Sequence, residues 1–161
     1  MELLLTHYEK PVYNAALRML GNPEDAADVT QTVFLKAFEN ILRYDPARRF
    51  FSWIYRIAIN ESIDQLKRRR HDVPLDTEPP ADTPLPAESL QEQQVGDEIQ
   101  AVLLELEPDL RAVIVLRYFT ECDYRDIGAT LGIPESTVKS RLFSARRDMR
   151  RRLQRHGILS P

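Results

Sequence analysis

A proline-rich acidic segment limits what this chain can fold into more than any other feature of the sequence. Residues 71–97, HDVPLDTEPPADTPLPAESLQEQQVGD, contain five prolines, seven acidic residues and few large apolar side chains. Such a composition cannot bury enough apolar surface to offset the entropy that is lost when a chain becomes ordered. We therefore predict a flexible acidic linker over 71–97, with small folded units in residues 1–70 and 98–161.

The net charge of −3 is unevenly distributed along the chain. The segments 1–70, 71–97 and 98–161 carry +2, −7 and +2, so the acidic linker masks two basic flanks. Within these flanks the positive charge is concentrated at the ends, in KRRR at 67–70 and in eight basic residues between Lys139 and Arg155. The negative total therefore does not exclude a nucleic-acid partner.

Several classes of protein are excluded by the composition. No apolar run approaches the roughly 20 residues of a membrane-spanning helix, and the N-terminal MELLLTHYEK lacks the features of a secretion signal. The lone Cys122 cannot form an internal disulfide, which fits the reducing cytoplasm. We expect a cytoplasmic protein that does not insert directly into a membrane.

Both flanks show helical periodicity without convincing strand patterns, which predicts an all-α fold. In the first flank, Asn22 is a plausible N-cap for a helix that begins at Pro23. Helices over about 8–20 and 51–69 complete a three-helix unit. In the second flank we predict helices over about 98–106 and 108–118, followed by a tight pair that ends near residue 155. The buried stripe of the Pro23 helix is expected to be Val29, Val33, Ala37 and Ile41.

The tight pair, YRDIGATLGIPESTVKSRLFSARRDM, has the anatomy of a helix-turn-helix. Gly128 permits close approach of the two helices, Gly132 supplies the turn, and Ser136 or Glu135 can cap the second helix. Val138, Leu142, Ala145 and Met149 form the inward stripe of that second helix. Its outward residues, which we call the recognition face, are Thr137, Lys139, Ser140, Arg141, Phe143, Ser144, Arg146 and Arg147.

The recognition face combines short hydrogen-bonding side chains with arginines further along the helix. Such a helix can place its first turns in a DNA major groove and its basic side chains on phosphates. The alternative is a basic helix that merely faces water.

The third helix, FFSWIYRIAINESIDQLKRRR, divides into two faces. One carries the expected core residues Tyr55, Ala58, Ile59, Ser62, Ile63 and Leu66. The other, which we call the polar stripe, carries Trp53, Arg56, Asn60, Asp64 and Lys67. An aromatic plane, cations and an amide suit the binding of unstacked single-stranded bases and their phosphates. The spacing alone leaves open a second interpretation, in which Trp53 is a half-buried core aromatic residue.

Three blocks of sequence in order, DAADVTQTVFLKAF, FFSWIYRIAINESIDQLKRRR and RAVIVLRYF…YRDIGATLGIPESTVKSRLFSAR, resemble the extracytoplasmic-function sigma factors of the sigma-70 family. The resemblance implies two helical domains on a linker that threads through RNA polymerase. The first domain would bind core polymerase and open the minus-10 element, and the second would read the minus-35 element. Implied partners are core RNA polymerase, through its beta-prime clamp helices and beta flap, promoter DNA and an anti-sigma factor.

The resemblance also implies roles for individual residues. The surface that would meet the clamp helices, here called the polymerase face, comprises Asp28, Gln31, Thr32 and Leu35. The loop that would hold a flipped base contains Arg48, Arg49 and Phe50, and Trp53, Arg56, Asn60 and Asp64 would engage the melted strand. For the minus-35 element, the resemblance implies recognition by Lys139, Ser140, Arg141, Phe143 and Ser144, with Tyr124 and Arg125 as DNA-backbone contacts. The other members of the recognition face, Thr137, Arg146 and Arg147, are predicted DNA contacts from their outward position on the helix.

Two other classes of function are weaker interpretations. A stand-alone helix-turn-helix regulator would use the same tail as a dimer on a palindromic site, but would leave the first seventy residues unexplained. An enzyme is disfavoured because His7, His71 and His156 are scattered and no Gly-rich phosphate loop is present. We expect no catalytic residues, no metal and no cofactor. Cys122, predicted to be an exposed thiol in the loop TECDY, could act as a redox switch but is more often inert.

Overall fold

The computed structural model describes residues 2–47, 49–72 and 90–160, and over these ranges it contains helices and no strands. The predicted all-α fold is confirmed. A 3-10 turn follows α2 at Ile41–Arg43, and a π-helical turn at Val115–Phe119 extends α5. Among the described residues, no helix is long and apolar enough to cross a membrane. The helices are α1 (Glu2–Leu20), α2 (Pro23–Glu39), α3 (Phe50–Asp72), α4 (Leu90–Glu105), α5 (Pro108–Ile114), α6 (Tyr124–Leu131) and α7 (Glu135–Arg155).

The start of α2 follows the local sequence. The side-chain oxygen of Asn22 accepts hydrogen bonds from the backbone N–H groups of Glu24 and Asp25, at 2.9 and 3.2 Å. Pro23 occupies the first helical position, where no N–H is needed. Val29, Val33 and Ala37 of the predicted stripe are buried, whereas Ile41 lies beyond the helix in the 3-10 turn and is half-buried.

Helices extend into both ends of the segment 71–97 that is predicted to be a linker. His71 and Asp72 belong to α3, and α4 begins at Leu90, eight residues before the expected helix start at 98. Residues 90–97 contain no proline and consist largely of glutamine and other good helix formers. The helix can therefore extend through them without a pronounced stripe of apolar side chains. Residues 73–89 lie outside the described residues.

The helix-turn-helix forms through the two predicted glycines. A Cβ atom on Gly128 would lie 2.8 Å from the carbonyl oxygen of Ile133, so only glycine allows the turn to approach α6 this closely. Gly132 has φ +69°, which suits glycine. The predicted cap of α7 by Ser136 or Glu135 is wrong, because Pro134 is the N-cap and its carbonyl accepts from the N–H groups at 137 and 138.

The two flanks of the linker pack together into one continuous core. Helix α3 contacts α6, and α1 contacts α4, α5 and the π-helical turn. Arg111 of α5 is 5% exposed and crosses this boundary by donating to the carbonyl of Met19 at the end of α1. The described helices therefore form a closed arrangement in which α1–α3 and α4–α7 share buried surface.

Candidate nucleic-acid interface

The polymerase face lies on α2, opposite its buried stripe. Asp28 and Gln31 are exposed, Thr32 is half-buried and donates its hydroxyl to the carbonyl of Asp28, and Leu35 is 58% exposed. The structure therefore places all four predicted residues on one accessible side of the helix. A single exposed leucine is common on protein surfaces, so the polymerase-binding role of this face stays a prediction.

The polymerase face adjoins an apolar groove of about 990 Å³ between α1 and α2. Phe38, 59% exposed, and Tyr13 of α1 line this groove together with Leu35. The prediction missed Phe38 and the contribution of α1. Leu35, Phe38 and the exposed Leu42 recur at spacings of three and four, and this second apolar stripe was the available signal.

The polar stripe of α3 is exposed along most of its length. Arg56, Asn60, Asp64 and Lys67 are exposed, and Trp53 is half-buried. On the opposite side Tyr55, Ala58, Ile59 and Ser62 are buried as predicted, while Ile63 and Leu66 are half-buried. The division of α3 into two faces is thus confirmed, and Trp53 stands at the border between them.

Trp53 belongs to a cluster of four aromatic rings. Its ring lies 5.1 Å from that of Tyr44 and 5.5 Å from that of Phe50, and Tyr8 of α1 adds a contact with Phe50 at 5.1 Å. The interpretation of Trp53 as a half-buried core aromatic residue is therefore confirmed, and its role in binding single-stranded bases stays a prediction. One side of the indole packs on neighbouring rings, which fixes its orientation, and the remaining exposed part can stack on a base.

A cavity of about 510 Å³ lies beside the polar stripe. Its walls come from α3 and from the segment before it, and consist of Arg43, Asp45, Trp53, Arg56, Ile57 and Asn60. An aromatic plane with a carboxylate, an amide and guanidinium groups can hold a polar planar ring by stacking and hydrogen bonds. The prediction missed Arg43, Tyr44 and Asp45. The only signal was the short RYDP segment between two helices, which has no periodicity to interpret.

The predicted base-holding loop is only partly described. Arg48 lies outside the described residues, and Phe50 begins α3 rather than belonging to a loop. Arg49 is exposed, and its guanidinium lies 3.2 Å from a carboxylate oxygen of Asp126 in α6. Its partner in this structure is therefore the first helix of the helix-turn-helix.

The recognition face of α7 is accessible. Lys139, Ser140, Arg146 and Arg147 are exposed, and Phe143 is 66% exposed. The three other members, Thr137, Arg141 and Ser144, are half-buried. Of the predicted inward stripe, Val138, Leu142 and Ala145 are buried and Met149 is half-buried. The face therefore presents short polar groups, cations and one apolar ring on a single helix.

Aromatic residues outside the recognition face contact a basic side chain of that face, Arg146, and another basic side chain outside it, Arg117. Arg146 donates from Nε to the hydroxyl of Tyr118 at 2.7 Å, and this hydrogen bond is the main reason why the pKa of Arg146 is raised. Arg117 lies over the ring of Tyr124, 5.4 Å from its centroid. Tyr124 is half-buried, and Arg125 is exposed. Tyr118 and Arg117 were missed because the π-helical turn that presents them breaks the helical period of α5.

Cys122 is buried, which corrects the prediction of an exposed thiol. Its side chain is 3% exposed, and its sulfur lies 3.3 Å from the hydroxyl of Thr120. Burial is the main cause that raises the pKa of Cys122, so the thiol is protonated at neutral pH and is a weak nucleophile. In the described part of the chain, no group of three or more His, Cys, Asp or Glu side chains is arranged to hold a metal ion.

Two family descriptions match this chain in sequence order. Sigma-70 region 2 matches residues 4–71, and Sigma-70, region 4 matches residues 96–149. The first covers α1–α3 with the polymerase face and polar stripe, and the second covers α5, α6 and most of α4 and α7.

Two sigma factors are similar to this chain over most of its length. The chain is 35% identical over 159 residues to the ECF RNA polymerase sigma factor SigW of Bacillus subtilis, covering 91% of this chain and 85% of that protein. It is 36% identical over 161 residues to the ECF RNA polymerase sigma factor SigE of Mycolicibacterium smegmatis, covering 97% of this chain and 62% of that protein.

The whole arrangement also resembles solved structures. The sigma factor RpoE from Bartonella quintana, solved in complex with the anti-sigma factor NepR, superposes with a TM-score of 0.78 at 23% identity over 95% of this chain and 96% of that chain. CnrH, solved in complex with the cytosolic domain of CnrY, gives a TM-score of 0.72 at 26% identity over 95% of this chain and 86% of that chain.

The sigma factor family is not a class of enzymes. The region 2 and region 4 descriptions match this chain in the same order along the sequence, and both relatives are ECF sigma factors. This chain therefore belongs to the extracytoplasmic-function group of the sigma-70 family of RNA polymerase sigma factors.

Proposed function

We propose that this chain is a transcription initiation factor that directs core RNA polymerase to specific promoters, with its two flanks performing different tasks. Residues 1–70 bind core polymerase and capture melted minus-10 bases, residues 98–161 read the minus-35 element, and the acidic segment 71–97 connects them. The observation that carries the proposal is the presence in one chain of an aromatic and cationic stripe on α3 and an exposed recognition face on α7.

Polymerase binding is assigned to the polymerase face and the adjoining apolar groove. Leu35 and Phe38 expose apolar surface that is costly to leave in water, and Asp28 and Gln31 supply polar groups at its edge. A pair of helices such as the beta-prime clamp can lie along this groove and bury the apolar stripe. The second domain would contact the beta flap.

Duplex reading is assigned to the recognition face of α7. Its N-terminal half offers Lys139, Ser140 and Arg141 to base edges, and the later Arg146 and Arg147 suit the phosphates. Tyr124 and Arg125 at the start of α6 contribute DNA-backbone contacts on the other side of the turn.

Strand capture is assigned to Trp53, the rest of the polar stripe and the adjacent cavity. Extruding a base from a duplex costs a few kcal/mol, while stacking on an aromatic side chain contributes about 1 to 3 kcal/mol per base. The aromatic cluster holds the indole in place before DNA arrives, so little side-chain entropy is lost on binding. Opening therefore needs no nucleotide hydrolysis.

We also assign an anti-sigma factor as a partner of this chain. The RpoE protein of Bartonella quintana was solved with the anti-sigma factor NepR, and CnrH was solved with the cytosolic domain of CnrY. This chain shares their arrangement over 95% of its length. The exposed apolar stripe on α2 offers a surface that such a partner can occupy in place of polymerase.

The strand-capture role is tested by Trp53→Ala in the polymerase complex. We expect unchanged binding to core polymerase and reduced permanganate reactivity of thymines in the melted region. Trp53→Tyr is the matched control, because it retains an aromatic plane beside Tyr44 and Phe50. If the alanine variant opens promoters as the unchanged protein does, Trp53 has no part in strand capture.

The duplex-reading role is tested by Arg141→Ala. If Arg141 reads a base edge, the variant should bind its preferred minus-35 sequence more weakly by about 1 to 3 kcal/mol and discriminate less at one position. Binding measured across a set of single-base variants of the element distinguishes the two possible roles. An equal loss on every sequence would show that Arg141 is only a phosphate contact.

A further inference from the structure

Tyr118 lies beside the recognition face although it belongs to a different element. It is part of the π-helical turn Val115–Phe119 that follows α5, and it is 54% exposed. Its hydroxyl accepts a hydrogen bond from Nε of Arg146 at 2.7 Å. The guanidinium carbon of Arg146 also lies 5.6 Å from the centre of its ring. The two residues are 28 positions apart, so the fold and not the local sequence brings them together.

The backbone that carries Tyr118 is held on both sides. The N–H of Thr120 donates to the carbonyl of Val115, five residues earlier, and so closes the π-helical turn. The guanidinium of Arg117 donates to the carbonyl of Cys122 at 3.1 Å, just before α6 begins. Short π-helical turns within helices are frequent at functional sites, because the extra residue redirects the side chains that follow. Tyr118 is therefore presented to α7 by a braced turn.

The contact leaves part of the Arg146 guanidinium available for another acceptor. Hydrogen bonds with Tyr118 and then with Tyr124 are the two largest causes that raise the pKa of Arg146. An arginine has five N–H donors, so these two contacts leave donors unused. The side chain is exposed, and no carboxylate of the described residues forms a salt bridge with it. A phosphate oxygen is the acceptor that a guanidinium on a DNA-binding helix suits best.

An arginine that is oriented before DNA arrives binds a phosphate more tightly than a freely rotating one. A long side chain loses rotamer freedom when it binds, and this loss opposes binding. Arg147, the next residue of the recognition face, has a different aromatic neighbour, since its guanidinium lies 5.8 Å from the centre of the Phe143 ring. The hydroxyl of Tyr118 therefore acts on Arg146 and not on the arginine beside it.

We propose that Tyr118 is a positioning residue for duplex binding, because its hydroxyl holds the guanidinium of Arg146 in the orientation that meets a DNA phosphate. This inference rests on the proposed duplex-reading function of the recognition face. Tyr118 acts only through Arg146. Because phosphate contacts carry no direct sequence information, its effect is the same on every duplex sequence.

Two double-mutant cycles in the full chain test the proposal. Tyr118→Phe removes the hydroxyl and keeps the ring, and Arg146→Ala removes the group that the hydroxyl positions. Arg147→Ala is the matched control, because it removes another arginine from the same face. Tyr118→Phe is combined with each arginine substitution in turn. Thermal melting followed by circular dichroism should be the same for Tyr118→Phe and the unchanged chain, because the side chain is exposed.

Affinity is measured by fluorescence anisotropy with a labelled mixed-sequence duplex of about 20 base pairs at several salt concentrations. Tyr118→Phe should weaken binding about threefold. Arg146→Ala should weaken it about tenfold and reduce the dependence on salt by about one phosphate contact. Adding Tyr118→Phe to Arg146→Ala should change the affinity by less than about 1.5-fold, whereas adding it to Arg147→Ala should again weaken binding about threefold.

The possible outcomes separate the proposal from its premise. A loss of similar size from Tyr118→Phe in both arginine backgrounds would overturn the proposal, because Tyr118 would then contact DNA directly or act through the fold. Unchanged binding by Tyr118→Phe, with Arg146→Ala still weaker, would overturn it as well. Failure of the proposed duplex-reading function is distinguishable, because then Arg146→Ala and Arg147→Ala would both leave duplex binding unaltered.

Discussion

Arg111 should be one of the most sensitive positions in the chain, and Arg111→Met tests this. Arg111 is 5% exposed, yet its four hydrogen bonds to described residues all go to backbone carbonyls. It donates to the carbonyl of Met19 near the end of α1, to those of Leu103 and Leu104 at the end of α4, and to that of Leu106 just after α4. Carbonyls in the last turn of a helix have no intrahelical donor, and a cation there is favoured by the helix dipole.

The magnitude follows from the four carbonyls. Each loses a donor in the methionine variant at a cost of about 1 kcal/mol, and burial of the apolar methionine side chain recovers about 1 kcal/mol. The free energy of unfolding should fall by about 3 kcal/mol, equivalent to about 6 to 12 °C in Tm for a chain of this size. Burial lowers the pKa of Arg111 to about 10, so the guanidinium is still charged at neutral pH and the loss applies there.

The assay is urea unfolding at neutral pH followed by circular dichroism. Arg111→Lys should lose an intermediate amount, because an ammonium has only three N–H groups and lacks the planar fork. Arg150→Met, at an exposed position of α7, is the control and should change the free energy of unfolding by less than about 0.5 kcal/mol. A loss below about 1 kcal/mol for Arg111→Met would refute the claim that this side chain joins the two halves.

Two further predictions concern local stability. Asn22→Ala should lower the free energy of unfolding by about 1 kcal/mol, because it removes the side-chain acceptor that caps α2. Asn22→Asp keeps an acceptor at this position and should keep the free energy of unfolding unchanged. Thermal melting of the two variants measures the difference. Glu105 lies between Arg152 and His156, and the hydrogen bond from Arg152 is the main cause that lowers the pKa of Glu105. Its stabilising contribution is therefore present above its unfolded pKa and lost as the pH falls through the lower folded value. Because Glu105 is about one-third exposed, Glu105→Gln should lower the free energy of unfolding by less than about 1 kcal/mol at pH 7. In strongly acidic solution, where Glu105 is protonated, the substitution should leave the free energy of unfolding unchanged. Equal losses at the two pH values would contradict this.

Features set by local sequence were predicted well. The cap at Asn22, the two faces of α3 and the glycines of the helix-turn-helix each depend on residues within a few positions of one another. The start of α7 was misplaced because Ser136 is a good cap in isolation, whereas Pro134 already ends the extended segment and supplies the first carbonyl acceptor.

Features that depend on distant residues were not predictable in this way. In the sequence Arg111 is an ordinary arginine in PDLRAVIV, and only the packing of α5 on the ends of α1 and α4 makes it a buried donor. Tyr44 packs on the rings of Phe50 and Trp53 because the fold brings α3 beside it, and the local sequence around Tyr44 does not indicate this contact. The ion pair of Arg49, just before α3, with Asp126 of α6 joins residues 77 positions apart, and no sequence periodicity predicts such a pair.

The central claim is that this chain acts with core RNA polymerase to start transcription at specific promoters. The most direct test is in vitro transcription of a genomic DNA library with core polymerase, with and without the chain, followed by sequencing of transcript 5′ ends. The account predicts a discrete set of start sites that appears only when both components are present, preceded by shared minus-35 and minus-10 sequences. Sequence-specific binding of a dimer without polymerase, together with no new start sites, would contradict it.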